Sequence, residues 1–281
     1  MQLIANVGIN WWTKGDKRQR GLDLIKAAHE SGAHGICVPY LRADKMFRPQ
    51  ALIDGTKKFD MTPEFLYDWM TYAHELNMGF VVAPRYVEAI DYLEQINVDG
   101  YHINNGDINF TPLLEAVRDT GKPVYLSTGM ATFEEVSDAL DLLLGDTEPS
   151  DADLVILHST GAMPTPAKDT QIQRILDLGG EFFPLYIGYE SFSVNPLLDY
   201  IAMAYRPAVI MRRIDLDDKK GVETEYSVTP GQFLELAKVA NAMLLVNNPE
   251  YYHESFTESD FDARVKQMRC KETEYLLPPS D

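Results

Sequence analysis

Eight short runs of consecutive apolar residues punctuate the chain: LIANVGIN (3–10), GICVPYL (35–41), GFVVAPR (79–85), GYHIN (100–104), PVYLSTG (123–129), LVILHS (154–159), FFPLYIGY (182–189) and AVIMRRI (208–214). Between them lie segments with apolar residues at helical spacing, such as Phe133, Val136, Leu140 and Leu143. Runs that are apolar throughout belong to strands buried on both faces. Regular alternation of strand and helix then requires parallel pairing with right-handed crossovers. Eight such units close most economically as a single-domain α/β fold, an aldolase-type (β/α)8 TIM barrel. Polar residues cluster where each run ends, which in this fold is the mouth that carries function.

Helix starts are marked by Thr62-Pro63-Glu64, Thr111-Pro112, Thr132-Phe133-Glu134-Glu135 and Thr229-Pro230, each a cap residue followed by proline or acid. Thr132 with Glu135 forms a capping-box pattern. Two connections are long, 42–62 after the second strand and 215–228 after the eighth. Both leave the carboxyl end of a strand, where long loops serve a ligand or merely decorate the surface. The barrel is expected over 1–248, with 249–281 a C-terminal tail holding a short helix around 258–270.

A length of 281 residues fits one barrel plus a tail, and 45% apolar content is enough to bury a core unaided. The first residues already read as strand rather than as a leader. No run reaches membrane-spanning length, so the expected location is cytoplasmic. Cys37 and Cys270 have no CxxC spacing and read as one core thiol and one tail thiol. With 43 acidic against 25 basic residues, net charge −18, nucleic acid and anionic membrane are excluded as partners. A small anionic metabolite is the expected partner, and assembly into a homo-oligomer stays open.

The segments IANVGIN (4–10), KPVYLSTGMATFEEV (122–136), LHSTGAMPTP (157–166), IGYES (187–191) and EYSVTPGQF (225–233) resemble the barrel domain of the sialic acid synthase family over about residues 3–245. The resemblance implies a barrel that condenses phosphoenolpyruvate with an amino sugar, using a divalent metal. Family residues are kept at Asn10, Ser127, Thr128, His158, Thr160 and Glu223. Elsewhere the pattern breaks. An acid becomes Asn6, the two phosphoenolpyruvate lysines become Cys37 and His102, a threonine becomes Ala83, and a serine becomes Asn105. An asparagine and a tyrosine become Gly161 and Met163, and the two metal-ligand histidines become Phe192 and Arg213. A phenylalanine ligates nothing and an arginine repels a divalent cation, so no metal and no cofactor are expected. The family's C-terminal antifreeze-like domain has no counterpart in this sequence.

The altered mouth still carries chemistry. Strand alternation places Ala83 with Arg85, His102 with Asn104, and Met211 with Arg213 on common faces. An arginine facing the barrel axis needs an acceptor. Arg213 either pairs with Glu190 or Asp215, or joins Arg85 and His102 in a cationic floor for a carboxylate or phosphate. His102 is either a general acid or base oriented by Asp107 or Glu190, or a hydrogen-bonded structural residue. Ser127 and Thr128, before Gly129, hold an anion or cap a helix. Trp11 and Trp12 stack on a sugar or ring, or pack beneath the long second loop. His158 reads as a buttress, and His29, His34, His74 and His253 as surface residues.

The function expected is that of a divergent, metal-independent relative of the sialic acid synthases, binding a small anionic or hydroxylated metabolite of sugar or keto-acid type. His102 and Glu190 are the catalytic candidates for acid–base or lyase chemistry. The ligand-binding candidates are Asn10, Arg85, Asn105, Ser127, Thr128, Thr160, Arg213 and Glu223. Two alternatives are a non-catalytic barrel that binds a metabolite or protein partner, and a phosphoenolpyruvate-dependent sugar-acid synthase with a rearranged site.

Overall fold

The computed structural model describes residues 1–246, so the tail expected at 249–281 lies outside the described residues. Eight parallel strands close in sequence order: β1 (Gln2–Asn6), β2 (Gly35–Tyr40), β3 (Gly79–Pro84), β4 (Gly100–Ile103), β5 (Val124–Ser127), β6 (Leu154–His158), β7 (Tyr186–Ser191) and β8 (Val209–Arg213). β8 returns to β1 with Asn6 beside Arg213, and Asn6 also pairs with Cys37 of β2. This is the TIM barrel that the apolar runs predict. Met1–Ala237 forms one compact unit containing all eight strands.

Helices follow the strands: α1 (Lys17–Glu30), α2 (Ala43–Met46), α3 (Gln50–Thr56), α4 (Pro63–Glu75), α5 (Ala89–Ile96), α6 (Thr111–Arg118), α7 (Phe133–Leu144), α8 (Arg174–Glu181), α9 (Leu197–Ala204) and α10 (Pro230–Val246). Asp16 caps α1 by accepting from the Gln19 amide, and Thr132 with Glu135 completes the capping box of α7. The inward residues of the strands fill the barrel, with Ile4, Cys37, Val81, Leu157, Val209 and Met211 forming one buried cluster. Eight runs of branched and aliphatic side chains thus serve two surfaces at once, the barrel interior and the helix layer.

One expectation changes. The seventh strand begins at Tyr186 rather than at residue 182, because Pro184 has no N–H for the ladder and Phe183 turns out into solvent. Within the long connection at 42–62, α2, α3 and a 3-10 turn at Lys57–Phe59 are folded. Trp11, fully buried, meets Trp69 of α4 edge-on, and Trp12 meets Phe59. Trp12 therefore packs against that connection, as one of the two readings holds, while Trp11 is buried against α4. Gly21 of α1 lies against the Trp69 indole, where a Cβ would collide with the ring.

Two buried cations tie the mouth together. Arg212, fully buried, turns outward from β8 to Asp199 of α9 at 2.9 Å. It donates to the carbonyls of Ser191, Ser193 and Tyr226. Arg20 of α1 reaches Asp215 at 2.7 Å, Asp218 at 3.0 Å and the Asn10 carbonyl at 2.7 Å. Together they pin the 215–228 connection over the carboxyl ends of β1, β7 and β8. Among the described residues no helix is long and apolar enough to cross a membrane.

Candidate functional site

A cleft of about 220 Å³ opens at the carboxyl ends of the strands. Its polar lining is Asn6, Arg85, His102, Asn104, Arg213 and Glu223; Ile9, Leu41, Met46 and Met163 form much of the apolar wall. Period-two alternation brings Ala83 with Arg85 and His102 with Asn104 to this cleft.

Arg213 is the centre of the polar end. Its Nη1 donates to Asn6 Oδ1, and its Nε lies 3.3 Å from Glu223 Oε2 without pointing along that line. Phe192 stacks on the guanidinium, 5.2 Å from ring centroid to Cζ. Nη2 makes no hydrogen bond among the described residues. The partner of Arg213 is thus Glu223, ten residues along the following loop, rather than Glu190 or Asp215. Asp215 faces Arg20 instead. Gly8 (φ +52°) passes so close that a Cβ would strike both the Glu223 carboxylate and the guanidinium. Glu223 is itself held by the Ile9 amide at 2.9 Å and the Tyr226 hydroxyl at 2.9 Å. Arg85 lies 2.6 Å from Asp107 through Nη1, and among the described residues its Nε and Nη2 have no partner. Burial pushes the Asp107 carboxyl up, against the pull of Arg85.

Below the cleft four buried side chains from four strands meet. His102 Nε2 lies 2.8 Å from Ser127 Oγ, Ser127 donates to Glu190 Oε2 at 2.7 Å, and Cys37 Sγ lies 3.5 Å from His102 Nδ1. Because the serine proton goes to Glu190, Nε2 must donate to Ser127 and Nδ1 must accept from the Cys37 thiol. Neither ring nitrogen is left for a ligand in the cleft. The carboxylate expected to orient His102 acts only through Ser127, since Glu190 Oε1 is 3.8 Å from the ring, and Asp107 is engaged by Arg85. Burial, reinforced by Arg213 and Arg85, pushes His102 down to about 3. Burial also pushes the Glu190 carboxyl up, against Arg213 and hydrogen bonds from Ser127 and Asn6. The Cys37 thiol is pushed up far beyond its ordinary range and stays protonated, which agrees with a core thiol.

The sign of the His102 effect follows from linkage. Its folded pKa is depressed, so its contribution to stability is complete above about pH 6.5 and is lost as pH falls toward 3. Glu190, raised, works in the opposite sense, above the range where unfolded carboxylates titrate, and is common to wild type and variant. Between about pH 6.5 and 5 the unfolding free energy should fall with a slope that steepens toward about 1.4 kcal/mol per unit from this one group. His158, also lowered by burial, is common to wild type and variant and cancels in the comparison. Urea unfolding of wild type and His102→Gln across that window checks this, and parallel profiles would contradict it.

Several ligand-binding candidates hold the frame rather than line the cleft. The Asn10 amide donates to the Ile214 carbonyl and to Ser227, and its oxygen accepts from the Glu223 amide. Asn105 Oδ1 accepts from the Gly129 amide and Ser159. Thr128 bonds the Leu157 carbonyl, and Thr160 bonds Thr165. Thr132, not Ser127 or Thr128, caps α7. His158 bonds the Thr170 carbonyl at 2.8 Å. Sequence reasoning passed over Asn104, whose Nδ2 is buried without a partner, and Asn6 as the clamp on Arg213. Period-two alternation from His102 and the register of β1 against β8 were the available signals.

The residues present do not fit a divalent cation. The place on β8 is filled by a guanidinium, and Phe192 packs against it. Among the described residues no group of three or more His, Cys, Asp or Glu gathers in a way that could hold a metal.

A closed parallel barrel with its polar cleft at the strand carboxyl ends defines an aldolase-type barrel protein. The model of the NeuB family matches residues 24–248, and the chain belongs to that family. An uncharacterized protein of Methanocaldococcus jannaschii is 30% identical over 236 residues, covering 83% of this chain and 68% of that protein. The N-acetylneuraminate-9-phosphate synthase of Mus musculus is 26% identical over 253 residues, covering 84% and 68%. The solved N-acetylneuraminic acid synthetase of Leptospira borgpetersenii serovar Hardjo-bovis, in complex with citrate, superposes with a TM-score of 0.81 at 20% identity. It covers 94% of this chain and 90% of that one, which is agreement in fold.

Proposed function

We propose that this chain is a divergent NeuB-family barrel that binds a small anionic metabolite at its mouth through arginine rather than through a divalent metal. The observation that carries the reading is Arg213. It stands where the resemblance puts a metal-ligand histidine, clamped by Asn6, Glu223 and Phe192, with Nη2 left unbonded at the cleft. Arg85 and Asn104 add further donors without protein partners. A planar guanidinium with two free donors suits a carboxylate or phosphate edge.

Charge distribution supports an anion. Residues 11–60 carry ten basic side chains against six acidic, in a chain of net charge −18. Much of that excess lies on the connections that leave β1 and β2 at the mouth. Lys14, Lys17, Arg48, Lys57 and Lys58 make no ion pair among the described residues. Such a sector raises the encounter rate of an anion against an otherwise repulsive surface. With both His102 nitrogens engaged inside, the geometry favours binding over acid–base chemistry by the His102–Glu190 pair.

The test is stopped-flow binding of short carboxylates to the full chain. Association should slow as ionic strength rises, and Lys57→Glu with Lys58→Glu should slow it further, with dissociation little changed. A panel of carboxylates and phosphate that all fail to bind would overturn the reading.

A further inference from the structure

Resting on that reading, we infer that the cleft selects a short 2-oxo carboxylate with an apolar body over a polyhydroxylated acid. Among the described residues, unbonded donors come from Arg213 Nη2 and from Arg85 Nε and Nη2, both arginines lining the cleft, and Asn104 Nδ2 is buried nearby without a partner. Acceptors are fewer and partly engaged. Glu223 holds the Ile9 amide and the Tyr226 hydroxyl, and Asn6 Oδ1 holds the Gly8 amide and Arg213. Both nitrogens of His102 face inward partners. Among the lining side chains of the described residues, only the Asn104 amide has an oxygen without a protein donor.

A hydroxyl brings a proton as well as lone pairs, and once stripped of water it needs an acceptor. A sugar acid carries several, whereas the lining side chains offer only the Asn104 oxygen and the spare lone pairs of Glu223. A carboxylate with a neighbouring carbonyl presents acceptors only, matching a floor with two guanidinium edges. The remaining wall is apolar: Ile9, Pro39, Leu41, Met46, Ala83 and Met163. It would leave polyol hydroxyls unpaired but would cover an aliphatic body. The volume of about 220 Å³, room for about seven water molecules at roughly 30 Å³ each, suits a short acid.

Calorimetric titration of the full chain with 4-methyl-2-oxopentanoate, gluconate and inorganic phosphate tests this. The oxo acid should bind at least about tenfold more tightly than either of the others. Leu41→Asn should shrink that ratio by weakening the oxo acid alone. Should this variant fail to fold, the wild-type ratio decides. Gluconate or phosphate binding as tightly as the oxo acid overturns the inference while leaving the anion site standing. If none of the three binds, the anion site itself falls and the inference with it.

Discussion

Replacing Arg212 by methionine is expected to lower the unfolding free energy by about 3–5 kcal/mol, the range for breaking a fully buried ion pair from one side. Arg212 and Asp199 are both inaccessible to solvent, and burial pushes the Asp199 carboxyl up even with the guanidinium beside it. Methionine fills much of the volume but strands Asp199 and leaves the carbonyls of Ser191, Ser193 and Tyr226 without a donor. These atoms lie at the ends of β7 and in the connection that carries Glu223, so the damage spreads to the mouth. The double change Arg212→Met with Asp199→Leu should recover much of the loss, since no charge is then left unpaired. Denaturant unfolding of the three variants measures this, and a loss below about 1 kcal/mol in the single variant would show that the pair is not the anchor described.

Arg213, its neighbour in sequence, faces the other way and should behave differently. Arg213→Met is expected to weaken binding of a short carboxylate by about 2 kcal/mol or more, roughly thirtyfold, with a smaller loss of stability than at Arg212. The reason is that Glu223 keeps the Ile9 amide and the Tyr226 hydroxyl after the guanidinium is gone. Glu223→Gln should act in the opposite direction. It removes a negative charge beside Arg213 and should tighten anion binding while leaving the guanidinium clamped by Asn6 and Phe192. Titration of both variants distinguishes a ligand-holding arginine from one that merely fills a cavity. If Arg213→Met costs stability and leaves affinity unchanged, the arginine is structural.

The barrel is legible because both of its surfaces need apolar side chains, so each strand announces itself as a continuous run. Where the run includes a proline, as at Pro184, the ladder starts later than hydrophobicity alone suggests. The inward face of Arg213 follows from counting by two from Met211. Its partner does not, because Glu223 reaches it through the path of the 215–228 connection. Asp215, only two residues on, is drawn away by Arg20, which in the sequence of α1 looks like one more solvated charge. The row of Cys37, His102, Ser127 and Glu190 combines four strands at one level of the barrel. Which residues share a level depends on register, and no local pattern encodes it. Asn10, Asn105 and Thr160 look like mouth residues because they follow strand ends, yet their side chains are turned to backbone and neighbouring loops.

The central claim, that a guanidinium does the work a metal would otherwise do in anion binding, is tested most directly by one calorimetric titration performed twice. The full chain is titrated with a short carboxylate after exhaustive treatment with EDTA, and again with added manganese. The account predicts saturable binding in both cases with the same affinity. Binding that vanishes with EDTA and returns with manganese would contradict it.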